Sequence, residues 1–270
     1  MSEIEPPYTI ETLLTIMKQL RDPKTGCPWD RKQNFESVVP CAIEEVYEVA
    51  EAIRIQDYDD LRLELGDLLF QVVFYAQLGQ EQQLFDFPGI VSGICEKLIR
   101  RHPHVFGQQH FDNESQVNAN WEATKAKERA SKAAESVLDD VPLALPALSR
   151  AQKLQKRCAN VGFDWNDPEP ALAKVAEELE EVREEVLQDN REALAEEIGD
   201  LMFACVNFAR KNKFDSEALL RQANEKFERR FRQVEGQAKS AGKLLKDHTL
   251  EELEVLWQNV KEQEKSKKLG

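Results

Sequence analysis

The sequence holds little with which to carry out soft-metal or thiol chemistry. Its 270 residues include four histidines and five cysteines. Cys27, Cys41, Cys95, Cys158 and Cys205 are scattered without a CxxC pair, and an odd number does not make a closed disulfide framework. No serine or cysteine stands in a recognisable setting with a base, which argues against nucleophilic catalysis. No GxxxxGK[ST] phosphate loop occurs, so phosphate handling would need carboxylate-bound metal instead. Sustained period-two alternation is absent, and so is any apolar run of membrane-spanning length. The start, Met1-Ser2-Glu3-Ile4-Glu5-Pro6, has neither the basic region nor the apolar stretch of a signal peptide, so a reducing cytoplasmic location is expected. Positive charge is also in deficit. Lys and Arg number 36 against 50 Asp and Glu, a formal net charge of −14, which opposes direct nucleic-acid binding and attachment to anionic membranes.

What the chain has is one acidic pattern, twice. Glu44-Glu45-Val46-Tyr47-Glu48 is followed by Glu64-Leu65-Gly66-Asp67, and Glu177-Glu178-Leu179-Glu180-Glu181 by Glu197-Ile198-Gly199-Asp200. Glu45 precedes Glu64, and Glu178 precedes Glu197, by the same 19 positions. On helices, Glu45 with Glu48 and Glu64 with Asp67 each share a face, as do their later counterparts. Two such pairs on facing helices make a four-carboxylate pocket. Like charges that close raise one another's pKa unless a cation or proton sits among them. Oxygen-only ligands select a hard cation, Mg²⁺ with Mn²⁺ as substitute, and these ions join carboxylates to substrate phosphates. A single EExxE is more simply the solvated face of an acidic helix, but a repeated register is not explained that way. Gly66 and Gly199 hold matched helical positions at a cost of roughly 1 kcal/mol against alanine, which predicts close approach of a neighbouring helix or ligand. Leu68-Leu69-Phe70 and Leu201-Met202-Phe203 then predict a buried side to the same helices.

Helix start signals dominate the rest. Thr9, Ser37 and Asp57 are expected N-caps, Asp167 caps a helix with Pro168 at its first position, and Thr249 to Glu252 reads as a capping box. The composition changes between Arg129 and Pro146, which predicts helical domains over 1–130 and 147–270 joined by a linker at 131–146. The repeat extends into basic and aromatic residues. Lys97 and Arg101 match Lys226 and Arg230, four apart on one face and suited to phosphate oxygens, although surface salt bridging explains either pair alone. Trp121 matches Trp257; a tryptophan can stack on a base, but a lone helical one more often anchors a core. His102-Pro103-His104 lacks a third soft ligand and reads as structural.

With these residues in view, the chain resembles two-domain members of the MazG nucleoside triphosphate pyrophosphohydrolases over nearly its whole length. The resemblance rests on Gly26-Cys27-Pro28-Trp29-Asp30, both EExxE and ExxD sets, Lys97 to Gly107, and Asn224 to Phe231. It implies an all-α fold, a tandem repeat of two MazG-like helical domains whose bundles are completed by homodimerisation. It also implies Mg²⁺-dependent conversion of a nucleoside triphosphate such as ATP to its monophosphate and pyrophosphate. Carried onto this sequence it makes Glu178, Glu181, Glu197 and Asp200 the metal ligands, and Lys174, Glu177, Glu196, Lys226, Arg230 and Trp257 the nucleotide contacts. Glu45, Glu48, Glu64 and Asp67 form the matching candidate for a second metal site. Two departures favour the second half as catalytic: Cys41 stands where Lys174 would be, and Gln33-Asn34-Phe35 replaces an expected Gln-Thr-His.

The reaction expected is in-line attack by metal-activated water, with Glu177 orienting or deprotonating it and Lys226 and Arg230 holding phosphate oxygens. Two other readings compete. A di-iron carboxylate bundle would add Glu-x-x-His, which neither acidic helix supplies. A non-catalytic acidic helical interaction or regulatory protein would show no saturable metal–nucleotide binding, and it is the stronger alternative for the first half.

Overall fold

The computed structural model describes residues 5–130 and 136–269. Residues 131–135 of the expected linker, and the first four residues used in the location argument, lie outside the described residues. The chain forms two compact units, Met1–Glu128 and Arg129–Gly270. Among the described residues there are α-helices and short 3-10 turns but no strand, so the fold is all-α. No helix there is long and apolar enough to cross a membrane.

Unit 1 contains α1 (Ile10–Leu20), α2 (Phe35–Ile55), α3 (Tyr58–Glu81), α4 (Phe87–Arg101), the single turn α5 (Pro103–Phe106) and α6 (Glu114–Ala130). Unit 2 contains α7 (Ala147–Ala159), α8 (Glu169–Gln188), α9 (Arg191–Lys211), α10 (Ser216–Ser240) and α11 (Leu250–Leu269). The central element of each is a helical hairpin, α2–α3 and α8–α9. Its turn is the same in both. Gln56 and Asp189 adopt the left-handed conformation at φ 59° and 54°, reversing the chain after the first helix as a C-terminal cap does. The next residue, Asp57 or Asn190, caps the second helix with its side chain. This repeated turn fixes the register in which the two acidic sets face each other.

Three of the expected caps form and two do not. Thr9 closes a capping box with Thr12, Asp57 accepts from Asp60 N, and Thr249 and Glu252 exchange bonds. Ser37 is not the cap of α2. Asn34 is, and Ser37 returns a bond to it from inside the first turn. Asp167 does not cap α8 either: Pro168 holds that place with no side-chain bond.

The cores differ between units. In unit 1, Met17, Val38, Val73, Phe74 and Leu78 are buried together, flanked by Leu13, Leu14, Phe35 and Tyr75. Unit 2 buries smaller groups, among them Ala171, Ala204, Ala209, Val206 and Val234. Both hairpins also carry an uncovered apolar stripe. On α2 it is Val39, Val46 and Ile53, and on α8 it is Leu172, Leu179 and Val186, each seven apart and exposed. On the second helices it continues as Leu65, Leu69 and Val72, and as Ile198 and Met202. The expectation that Leu69, Met202 and Phe203 lie on a buried side is therefore not met within one chain. Nor, among the described residues, does another part of the chain approach Gly66 or Gly199: nothing lies within 4 Å of where a Cβ would stand.

Candidate active site

The hairpin of unit 2 brings Glu178 from α8 to Glu197 and Asp200 from α9. One carboxylate oxygen of each lies within 4.8 Å of the others. Glu178 is 5 % exposed, and its Oε2 is buried with no hydrogen-bond partner. An ionised oxygen left so is costly unless a cation or proton meets it. Glu181 lies one turn on from Glu178. Burial first, and then the neighbouring Glu178 carboxyl, push the Glu181 pKa up. Glu197 is also raised, by burial first and then by Asp200 and Glu178. Donors that are all oxygen, an orphaned buried lone pair and carboxyls held against their ordinary ionisation together fit a hard divalent cation.

Lys174 lies beside this set. Its Nζ is 2.7 Å from Glu177 Oε1 and 2.7 Å from Glu178 Oε1, and these bonds raise its pKa above the ordinary lysine value. Glu177 is exposed and turned away from the buried acids, as the ~100° step between neighbouring helical residues requires. Glu196 is exposed too, and it reaches the site as a charge felt by Glu197.

The other expected nucleotide contacts belong to the last two helices. Lys226, Arg230 and Trp257 lie on α10 and α11. The Arg230 Nε donates to Glu264 Oε2 at 2.8 Å, and its guanidinium lies 5.9 Å from the Trp257 ring centre. Trp257 also packs on Phe227, centroids 5.4 Å apart. Unit 1 repeats this arrangement with Arg101, Glu128 and Trp121. The tryptophans therefore act as helix–helix anchors here. A cleft of about 560 Å³ is lined by Lys174, Glu178 and Asp200 but by none of the α10–α11 group.

That cleft adds residues the motifs did not single out: Gln155, Phe163, Trp165, Asn207 and Arg210. The loop before α8 is held against α9 by Asp164, which accepts two bonds from Arg210, at 2.7 and 3.1 Å. Lys211 adds a third at 3.2 Å. The Arg210 guanidinium, set against burial, holds the Asp164 carboxyl below the ordinary range.

Unit 1 assembles Glu45, Glu48 and Glu64 to the same 4.8 Å limit, with Asp67 near enough to raise the pKa of both Glu45 and Glu64 behind the larger effect of burial. Its surroundings differ. Gln71 donates to Glu45 Oε1 at 3.3 Å, and the position of Lys174 is held by the half-buried Cys41. His102 bonds Leu98 O through Nδ1 at 2.7 Å and packs edge-on to Trp121, which is a structural use of that ring.

The profile of the MazG nucleotide pyrophosphohydrolase domain matches residues 33–106 and 166–235, one stretch on each hairpin. The "Nucleoside triphosphate pyrophosphohydrolase" of Escherichia coli is 55% identical over 257 residues, covering 94% of this chain and 98% of its own. The "Nucleoside triphosphate pyrophosphohydrolase/pyrophosphatase MazG" of Thermotoga maritima is 43% identical over 93% of this chain and 95% of its own. Bacillus subtilis YabN is 44% identical over 96% of this chain, which spans 53% of that protein.

Proposed function

The chain belongs to the MazG nucleotide pyrophosphohydrolase family, and from that premise we propose that its second unit carries the catalytic site, with Glu178, Glu181, Glu197 and Asp200 holding Mg²⁺. The protein is a nucleoside triphosphate pyrophosphohydrolase, cleaving its substrate to monophosphate and pyrophosphate. The observation that carries the assignment is the buried, unpartnered Oε2 of Glu178 at the meeting point of three carboxylates. When bound, Mg²⁺ lowers the pKa of water and offsets phosphate charge. Lys174 then exchanges part of its pairing with Glu177 and Glu178 for a phosphate oxygen. Glu177, relieved of that lysine, orients water or takes its proton. Glu196 lies on the exposed rim for the sugar or polyphosphate. Lys226 and Arg230, beside Trp257, supply further cationic donors.

Product analysis of a mixed nucleoside triphosphate digest with Mg²⁺ tests this reading. Monophosphate and pyrophosphate are expected in equal amounts. Release of inorganic phosphate with a diphosphate instead would overturn it.

The raised carboxyls give the cation reading a second test. A group whose folded pKa is raised contributes stability below its unfolded pKa and loses it as pH climbs through the folded value. The cation-free protein therefore gives up stability at Glu45, Glu64, Glu181 and Glu197 as pH climbs from ~4, the ordinary glutamate value, through their raised folded values. A divalent cation restores it by binding the ionised forms. At about a hundred times Kd the gain is ~2.7 kcal/mol, a rise of roughly 5–10 °C in Tm at pH 7.5 for a chain of this size. The rise should shrink at pH 5, where protons compete. Equal melting in EDTA and in Mg²⁺ or Mn²⁺ at pH 7.5 would sink the metal assignment.

The first unit supports a different reading. Gln71 occupies Glu45, Phe74 fills the neighbouring core, and no lysine replaces Cys41. We assign it a non-hydrolytic role in assembly or regulation. The matched apolar stripes support a homodimer in which a second copy closes each hairpin into a bundle.

A further inference from the structure

In both units one glutamate of the last helix holds two consecutive arginines, Glu128 on α6 for Arg100 and Arg101 and Glu264 on α11 for Arg229 and Arg230. The atoms used are not the same. Arg100 gives Nε and Nη2 to Glu128 Oε1 at 3.0 and 2.6 Å, and Arg101 gives Nε to that oxygen at 3.4 Å and Nη2 to Oε2. Both side-on forks of unit 1 are spent on the carboxylate, and Arg101 with Arg100 pulls its pKa down to about 2. In unit 2 Arg229 reaches Glu264 Oε1 with Nε and Nη2, each at 3.3 Å, but Arg230 reaches Oε2 with Nε alone, at 2.8 Å. Among the described residues the two terminal nitrogens of Arg230 have no hydrogen-bond partner.

The Arg230 side chain is nonetheless fixed. It is 22 % exposed and its glutamate 18 %, its guanidinium lies 5.9 Å from the Trp257 ring centre, and that ring is in turn packed on Phe227. The Arg230 guanidinium, set against burial, and then Arg229 hold the Glu264 carboxyl below the ordinary range, so at neutral pH it is the ionised acceptor that this contact needs. A guanidinium fastened at Nε keeps its end fork, two planar nitrogens whose N–H groups match a pair of phosphate oxygens. The surrounding charge differs in the same sense. Beside Trp121, Lys125 pairs with Glu122 at 2.7 Å; beside Trp257 that acid is replaced by Gln258, and Lys261 has no carboxylate partner among the described residues. Unit 1 neutralises these cations and unit 2 leaves them available.

We propose that Glu264 is a positioning residue for pyrophosphate release: it fastens Arg230 through Nε and so presents the end fork to phosphate oxygens of the bound triphosphate. The proposal rests on the reading of Lys226 and Arg230 as phosphate donors. Arginine has many rotamers, and a long side chain that must be ordered on binding gives up affinity. Glu264 orders it beforehand. Donors preorganised in this way need no rearrangement as charge develops on the departing group. Glu128 does the opposite in unit 1, where it takes the Arg101 fork for itself, in agreement with the non-hydrolytic role assigned to that unit.

The test is a double-mutant cycle on kcat/KM for ATP with Mg²⁺, using Glu264→Ala, Arg230→Ala and both together. Arg230→Ala is expected to lose about 10²-fold and Glu264→Ala about tenfold. Because Glu264 acts through Arg230, the double variant should match R230A within about twofold. Glu264→Gln, which retains an oxygen for the Arg230 Nε, should stay within about threefold of the unsubstituted protein. A residue that merely packed α11 on α10 would lower Tm and multiply its loss with that of R230A. Such multiplied losses, or E264A within about twofold of the unsubstituted protein, would overturn the proposal. Should E264A fail to fold by circular dichroism, Glu264→Met, which keeps the bulk, takes its place in the cycle with the same expectations. Calorimetric titration with inorganic tripolyphosphate and Mg²⁺ reads the members of the cycle without turnover. A coupled loss of tripolyphosphate affinity, with no pyrophosphate from any nucleotide, would refute the catalytic reading and keep the positioning role. Pyrophosphate release with independent losses in rate and affinity would do the reverse.

Discussion

Replacing Glu178 by glutamine should reduce pyrophosphate release by on the order of 10³-fold or more, with the helical content of the protein unchanged. The effect is expected to be large because Glu178 is the most buried of the four acids and the one with an oxygen left without a partner. Glutamine keeps the volume and removes the charge that offsets a cation and orders Lys174. Losing preorganised electrostatics of this kind typically costs 10²–10³ per group even for a neutral donor, and here a ligand and a lysine partner are lost together. Glu177→Gln should behave differently. Glu177 is exposed and lies outside the group of three close-set oxygens, so kcat should fall about 10²-fold while the Mg²⁺ concentration for half-maximal rate stays put. Glu45→Gln should leave turnover near wild type. The same product assay reads all three. Full activity in E178Q, or loss in E45Q alone, would move the catalytic site to unit 1.

The acidic repeat made the hairpins legible from the sequence because its spacing is set by helix geometry, which is local. The facing of Glu178 with Glu197 and Asp200 follows from a two-residue turn and the helical period. Caps were read less well. Ser37 and Asp167 have the right chemistry, but a competing residue nearby starts each helix, and propensity does not decide between adjacent candidates. The repeat of Lys226, Arg230 and Trp257 was legible in the sequence, whereas the salt bridge of Arg230 to Glu264 and the packing of Trp257 on Phe227 depend on tertiary contacts that no local pattern encodes. The cleft carried one signal that went unused. Ala204 and Asn207 against Gln71 and Phe74 are among the positions at which α9 and α3 differ, and the shorter pair borders the cleft of unit 2.

The apolar stripes show what periodicity leaves open. Leu68 to Phe70 and Leu201 to Phe203 predict a covered face, and a sequence pattern does not say whether the cover is the same chain or another. Here a large part of that face is exposed, and the matched glycines look onto open space. A hairpin that presents Leu172, Leu179, Val186, Ile198 and Met202 on one side lacks two helices of a four-helix bundle, and in the homodimer proposed above a second hairpin of the same kind supplies them. Such an interface is isologous, so one substitution acts twice. Met202→Glu should therefore convert the proposed dimer to a 31.0 kDa monomer at micromolar concentration in sedimentation equilibrium. Two unpaired buried charges at several kcal/mol each weaken association by more than about 10⁴-fold. A substitution off the stripe, Glu180→Gln on exposed α8 surface, should leave the mass unchanged. If the unsubstituted chain itself sediments at 31.0 kDa, a second copy is not what covers the stripes, and the bundle must be closed in another way.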